Sequence, residues 1–355
     1  MMMLYILTGL LLLMTLLPIF RFEVWWIRGW DFPRLQLAIV GLVIFMAQIL
    51  FLDLSSSVNL VMTGVVIVCL AYQSWWILPY TRIYPKEVVA APHHRSEDTI
   101  RIIAANVLTT NRNANALLDL VYQYKPDILV TVETDKWWQK RLDILENDYP
   151  YTQKYPLNNF YGMHVYSTLK LKNAETAFLV EEDKPSIHAT VILPSGKTVR
   201  IHFLHPAPPS PTENEKSSER DAELVIVAKS VAEEEGAVIV TGDLNDVAWS
   251  DTTRLFRKIS GLLDPRVGRG MYNTFHAGYW FLRWPLDHIF HSKHLTFSSL
   301  KVLPHIGSDH FPILVELVYH EADEQEGIKA DADDHEWAEE KAASENVEKE
   351  DVPQE

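Results

Sequence analysis

Three apolar stretches open the chain: Leu4–Phe20, Leu35–Leu52 and Val58–Leu78, none with a Lys, Arg, Asp or Glu in its interior. About 20 apolar residues in a helix cross a hydrocarbon core, so each is near spanning length. The first stretch lacks a basic leader and a small-x-small cleavage site, and two more spans follow it, so it reads as a retained span rather than a signal peptide. Trp25, Trp26, Trp30, Trp75 and Trp76 stand at the segment ends, where indoles favour the headgroup zone. Residues 1–80 are therefore expected to form a three-helix membrane anchor.

An odd number of crossings puts the N-terminus and the remainder of the chain on opposite faces. The first connection holds Arg21, Arg28 and Arg34, and the stretch after the third span holds Arg82, Lys86 and Arg95; the N-terminus and the second connection hold no Lys or Arg. The positive-inside rule then predicts a multi-pass protein of the inner (cell) membrane with its large domain in the cytoplasm.

Charge separates the rest. The 355 residues carry a formal charge of −15, but residues 321–355 hold 15 of the 47 Asp and Glu against three Lys, leaving everything before them near −3. A near-neutral body lacks the basic surplus of a phosphate-tracking protein, so nucleic acid is the less favoured partner. The single cysteine, Cys69, excludes an internal disulfide framework and a Cys-rich zinc site. The acidic tail 321–355 has few aliphatic residues and no periodicity, and disorder is expected for it. Residues 81–98, rich in Pro and charge, read as a linker.

Between them, residues 99–320 alternate in character. TIRIIAANV, an amphipathic NANALLDLVYQY and ILVTVE predict a β-α-β opening; HATVILP and TVRIHFLH around Ser195-Gly196-Lys197 predict a hairpin. A helix over about 214–235 leads into AVIVTG, and LDHIFH, LTFSSLKVL and FPILVELVY complete a strand-rich domain. The composite is an α/β fold with mixed sheets packed on each other and helices outside.

Polar residues recur where strands end: Asn106, Glu133, Asp243 with Asn245, and the pair Asp309-His310 before the last strand. A single polar residue there is ordinarily a turn former, but strand termini in layered folds project into one crevice. Glu, Asp and Asn are hard oxygen donors suited to Mg²⁺ or Mn²⁺.

With these residues in place the chain resembles the endonuclease/exonuclease/phosphatase superfamily, which includes DNase I-like nucleases, inositol polyphosphate 5-phosphatases and neutral sphingomyelinases. The resemblance spans about residues 99–319 and rests on AANV, VTVE, GDLND, PLDHIF and GSDHFP in that order. It implies a four-layer α/β/β/α sandwich of two mixed sheets, here in a membrane-anchored bacterial member. It also implies roles. Glu133 would be the principal metal carboxylate, with Asn106 and Asp309 completing or orienting that site. Asp243 would align and deprotonate the attacking water, Asn245 would hold that water or a phosphoryl oxygen, and His205 and His310 would face the phosphate. Asp287 would orient His310. The implied activity is hydrolysis of a phosphodiester or phosphomonoester, dependent on Mg²⁺ or Mn²⁺, by in-line attack of an activated water. A membrane-tethered nuclease and a catalytically silent membrane scaffold are the alternatives; retention of a metal carboxylate together with a general base speaks against the scaffold.

The sequence departs from the family where Tyr161-Gly162 leads to Ser167-Thr168 instead of Ser-Arg, which removes one expected phosphate contact. His164, His188 and His202 read as packed or surface histidines, and alternation turns His288 away from Asp287. The segment PAPPSP after His205 reads as a rim, and Trp137-Trp138 as core or rim anchors.

Overall fold

The computed structural model describes residues 1–91, 96–320 and 325–354; Arg95 of the linker and residues 321–324 at the start of the acidic tail lie outside them. Among the described residues three helices are long and apolar enough to cross a membrane, over Met2–Phe20, Arg34–Phe51 and Ser57–Tyr80. Their α-helical parts are α1 (Met2–Leu16), α3 (Arg34–Phe51) and α4 (Ser57–Ile77), with a single turn α2 (Trp25–Arg28) in the first connection. Polarity runs inside out in this bundle. Ile39, Val43, Leu50, Val61 and Val68 are exposed, whereas Gln48 donates to Thr8 Oγ1 (2.8 Å) and Gln73 to Thr15 Oγ1 (3.1 Å) in the interior. Interhelical amide–hydroxyl bonds and small residues such as Gly41, seated against Leu70 and Leu11, are how helices associate without a hydrophobic force between them.

The strand-rich region follows in the order β1 (Thr99–Asn106), α5 (Ala114–Tyr124), β2 (Ile128–Val132), α6 (Lys136–Leu142), β3 (Tyr151–Tyr155), β4 (Met163–Ser167), β5 (Lys170–Ala177), β6 (Ser186–Ile192), β7 (Thr198–Leu204), α7 (Ser218–Ala232), β8 (Ala237–Asp243), α8 (Asp251–Ser260), β9 (Asp287–His291), β10 (Leu295–Val302) and β11 (Ile313–Tyr319). One sheet has the order β10-β11-β1-β2-β4-β3 and the other β5-β6-β7-β8-β9. Each contains one parallel pair, β1 with β2 and β7 with β8, bridged by α5 and α7 respectively; the other pairings are antiparallel. The expected hairpin is β6–β7, closed by Gly196 at φ 84°.

Alternation decides what each strand buries. Ile100 and Ile102 of β1 and Val130 of β2 meet Ile201 and Phe203 of β7 and Ile239 of β8 between the sheets. The opposite faces carry helices: Ile103 and Leu129 pack with α5 and α6, and Val238, Val240 and Phe290 with α7 and α8. The result is the α/β/β/α sandwich. Asp135 and Ser250 cap α6 and α8 by accepting from Trp138 N (2.8 Å) and Thr253 N (2.9 Å).

The acidic tail departs from expectation. Instead of disorder, Ala332–Ser344 forms a helix, α9, opened by a capping box between Asp331 and Asp334. Ala338, Ala342 and Val352 are buried against α7 and α8, and Lys341 Nζ sits 2.6 Å from the buried Asp221 of α7. Acidity did not prevent folding because Asp333, Glu336, Glu339 and Glu340 occupy the outer face, the buried Asp334 and Lys341 are paired with Lys258 and Asp221, and Ala338 and Ala342, four residues apart, make an apolar stripe. The end of the third apolar helix and the linker are docked as well: Tyr80 Oη donates to Ala248 O (2.5 Å), and in the linker Val88 is buried and Glu87 pairs with Arg257.

Candidate active site

The same alternation that fills the core delivers the polar side chains. Asn106 has the parity of Ile100 and Ile102; Asp243 that of Ile239; His205 that of Ile201 and Phe203; Asp287 that of Ile289. All four therefore continue an inward face just where it leaves the sandwich. The C-terminal ends of β1, β2, β7 and β8 and the N-terminal ends of the antiparallel β9 and β11 meet at that edge. Gly242 is required there: at φ 147°, an added Cβ would lie 2.0 Å from Leu204 O, so only glycine lets β8 approach β7.

Asn106 links the two halves. Its amide donates to Glu133 Oε1 (2.7 Å) and Asp243 Oδ2 (3.0 Å), one carboxylate from each sheet, while its oxygen accepts from Leu108 N (3.0 Å). Glu133 breaks the strand pattern at φ 60° and also accepts from Thr109 N (3.4 Å). His310 Nδ1 lies 2.8 Å from Asp287 Oδ2, and its Nε2 3.4 Å from Asp243 Oδ2. His205 Nε2 is 4.0 Å from the same Asp243 oxygen. Asn245, at φ 53°, donates from its side chain to Pro206 O (2.9 Å) and from its backbone to Asp243 Oδ1 (3.0 Å). Glu133, Asp243, Asn245, Asp309 and His310 line one cavity of about 940 Å³. Pro208, Pro209 and Pro211 of the proline-rich segment line it too.

Electrostatics sorts these groups. Burial pushes Glu133 up to about 7, with Asp309 and Asp243 adding to the rise against the Asn106 hydrogen bond. Burial also raises the Asp243 carboxyl, with Asp287 reinforcing it and His310, His205 and Asn106 opposing. Burial would lower His310, but the carboxylates of Asp243, Asp287 and Asp309 overcome it and hold the imidazolium up to about 10. His205, with less compensation, is pushed down by burial to about 4 and is neutral. The site thus pairs a cationic imidazole and a strengthened base within one enclosure.

The donor set fits a hard divalent cation. The Glu133 oxygens are crowded by like charge, which a cation would relieve, and Asp309 and Asp243 supply further carboxylate oxygens. Ligand atoms of Asp243, Asp287 and His310 also lie within 4.8 Å of one another. That trio is better suited to moving and holding protons, since both ring nitrogens of His310 already face carboxylates.

A model of the Endonuclease/Exonuclease/phosphatase family matches residues 103–310. The chain belongs to this family. Among solved structures, the family member is similar to the human nocturnin catalytic domain with bound sulfate (TM-score 0.53, 20% identity, covering 67% of this chain and 98% of that one). It is also similar to D. rerio TDP2 complexed with a single-strand DNA product (TM-score 0.51, 17% identity, covering 62% and 98%) and to an endonuclease/exonuclease/phosphatase from Beutenbergia cavernae (TM-score 0.50, 14% identity, covering 63% and 72%). These likenesses establish a shared fold. No curated protein matches the chain.

The remaining histidines lie elsewhere. His164 is buried on the helix-facing side of β4, and His188 and His202 are cross-strand partners with Nδ1 atoms 2.7 Å apart on the outer side of their sheet. His288 faces away from Asp287 and receives Arg266. Trp138 is core, with Trp137 packed beside it. Two groups went unread in the sequence. Arg220 holds the Asn245 carbonyl (2.8 Å) and pairs with Asp246 (3.2 Å), steadying the GDLND turn from α7. Trp25, Trp26 and Trp30, read as headgroup anchors, line the same cavity as Glu133, Asp243 and His310; three tryptophans crowded into a short connection were the available signal.

Proposed function

We propose that this family member is a membrane-anchored, Mg²⁺-dependent phosphoesterase that hydrolyses a phosphodiester or phosphomonoester by in-line attack of water. The observation that carries the reading is the convergence of Glu133, Asp243, Asn245, Asp309 and His310 on one cavity, with Asp287 behind His310.

A phosphate ester is a stable anion that repels hydroxide, so its hydrolysis needs charge neutralisation and an aimed water. Asp243, its carboxyl strengthened as a base by burial, takes the proton of that water. His310, as the imidazolium, donates from Nε2 to a phosphoryl oxygen, and Asp287 orients the ring and holds its charge by accepting from Nδ1. Asn245 holds the water or a phosphoryl oxygen, and neutral His205 donates from the other side. Glu133 and Asp309, oriented through Asn106, are the residues that would hold Mg²⁺, which when bound supplies positive charge to the substrate oxygens.

The three apolar helices and their inside-out polarity support membrane anchoring. The first connection packs on the catalytic domain, which supports one side for both; the Arg and Lys bias favours the cytoplasm of a bacterial inner membrane for that side. The near-neutral body disfavours a nuclease.

The test is turnover of bis(4-nitrophenyl) phosphate by the full-length protein in nanodiscs. Activity should disappear in EDTA, return with Mg²⁺ or Mn²⁺, and fall at least about 10²-fold in Asp243→Asn, the range for loss of a general base. Glu133→Gln should weaken Mg²⁺ binding measured by calorimetry. Undiminished turnover in chelator would overturn the metal assignment.

A further inference from the structure

The cavity that holds the catalytic groups has a second set of walls. Trp25, Trp26, Trp30 and Phe32 of the connection between α1 and α3 line it together with Phe275 and Trp284 of the catalytic domain. Hydrolysis at phosphorus needs only the polar cluster, so an adjoining apolar wall has some other part of a substrate to receive.

That connection is not a loose tether. Ser217 N donates to Glu23 O (2.9 Å) and Trp25 N to Glu215 O (3.1 Å), giving a short β-bridge between Val24 and Lys216. Trp249 Nε1 donates to Asp31 O (2.8 Å), and Arg28 donates to Thr252 Oγ1 (3.2 Å), both partners just beyond GDLND. The anchor and the catalytic turn are built as one body. Beside them the loop Tyr279-Trp280-Phe281 leaves its rings exposed, Trp280 by 84%. Gln36, in the first turn of α3, donates to Phe281 O (2.9 Å). The aromatic tip therefore lies level with the start of a membrane-length helix, the depth that amphipathic rings favour.

We propose that Trp25, Trp26, Trp30 and Phe32, with Phe275 and Trp284, form an apolar subsite for the hydrocarbon part of a membrane lipid whose phosphate ester the catalytic groups engage. The proposal rests on the phosphoesterase reading and names its substrate class: an amphiphilic phosphate ester supplied by the bilayer. Stacked bases of a single strand would also suit aromatic walls, but such sites track the backbone with cations. Arg28 is the one Arg or Lys among the described lining residues, and it is paired with Asp31 at 3.3 Å.

The experiment compares methyl, hexyl and dodecyl 4-nitrophenyl phosphates as substrates of the full-length protein in nanodiscs with Mg²⁺, for wild type, Trp26→Ser and Trp25→Ser. Dodecyl phosphate binding by displacement of a fluorescent alkyl phosphate runs in parallel. Partition into the bilayer raises long-chain turnover equally in every form, so the reading is the dodecyl-to-methyl ratio of kcat/KM, variant against wild type. Burial of even a few methylenes on the wall changes that ratio by about tenfold or more. The expected result is a ratio at least about tenfold lower in Trp26→Ser, and weaker dodecyl phosphate binding. Trp26 is half exposed, and Trp25→Ser, at another partly exposed ring of the same wall, guards against misfolding: it should lower the ratio in the same direction. Equal ratios in all three forms overturn the subsite while leaving the phosphoesterase standing. Chain-length-dependent binding that Trp26→Ser weakens, without turnover of any ester, sustains the subsite and sinks the phosphoesterase. Cleavage of single-stranded DNA, with ratios unchanged by Trp26→Ser, overturns the lipid in favour of nucleic acid.

Discussion

Replacing Asp287 with asparagine isolates how the imidazole of His310 is charged. The ring is buried, with Nδ1 2.8 Å from Asp287 and Nε2 3.4 Å from Asp243. Burial favours the neutral ring; the carboxylates outweigh it and raise the imidazolium to about 10. Asparagine keeps an acceptor for Nδ1–H at nearly the same volume and removes one negative charge. A unit charge about 4 Å away at an effective dielectric of about 20 contributes roughly 4 kcal/mol, and at about 1.4 kcal/mol per pH unit its loss brings His310 from about 10 to about 7. Because the native value is raised, the donor is present at low pH and lost as pH rises through it, so the variant loses it about three units earlier. At pH 8.5 a group titrating near 7 is about 3% protonated, so kcat/KM should fall about 30-fold there and only about twofold near pH 7. The assay is kcat/KM for a soluble phosphodiester from pH 5.5 to about 9.5 at saturating Mg²⁺, read as the displacement between the two profiles. Alkaline limbs that superimpose, or a drop uniform with pH, would refute the role given to Asp287.

Three further outcomes test the rest of the architecture. Lys341→Met strips a buried ammonium from Asp221, 2.6 Å away, and leaves that carboxylate hydrogen-bonded to Arg220 and Ser217 with Arg28 as a further positive charge; the cost should approach about 3 kcal/mol, seen as a lower urea midpoint of the catalytic domain in detergent, and a change under about 0.5 kcal/mol would mean the tail helix contributes nothing. Asp221 is held below its ordinary value by Lys341 and Arg220 against burial, so the stability it lends is present above its unfolded pKa and lost as pH falls through the native one; the difference between wild type and Lys341→Met should therefore narrow in acid. For topology, an alkaline phosphatase fusion at the C-terminus should be inactive and one inserted in residues 53–56 active; the reverse pattern would place the catalytic domain outside the cytoplasm.

The sequence by itself determined the elements and the chemistry they carry. Period-two patterns set the parity of β1, β7, β8 and β9, and that parity alone aims Asn106, His205, Asp243 and Asp287 inward, while charge-free length defines the three apolar helices. These properties are local, written over a few residues each. The strands β3 and β5, with largely polar sequences, carry no such pattern and take their form from pairing with β4 and β6. The tail looked disordered because its composition is acidic; only the presence of α7 and α8 as a surface for Ala338 and Ala342, and of Asp221 as a partner for Lys341, gives it a reason to fold. The aromatic cavity wall is likewise a product of tertiary structure. Tryptophans at a helix end look alike whether they face lipid or a catalytic crevice, because the choice depends on what packs against the connection, and here residues more than 180 positions away in sequence supply those contacts.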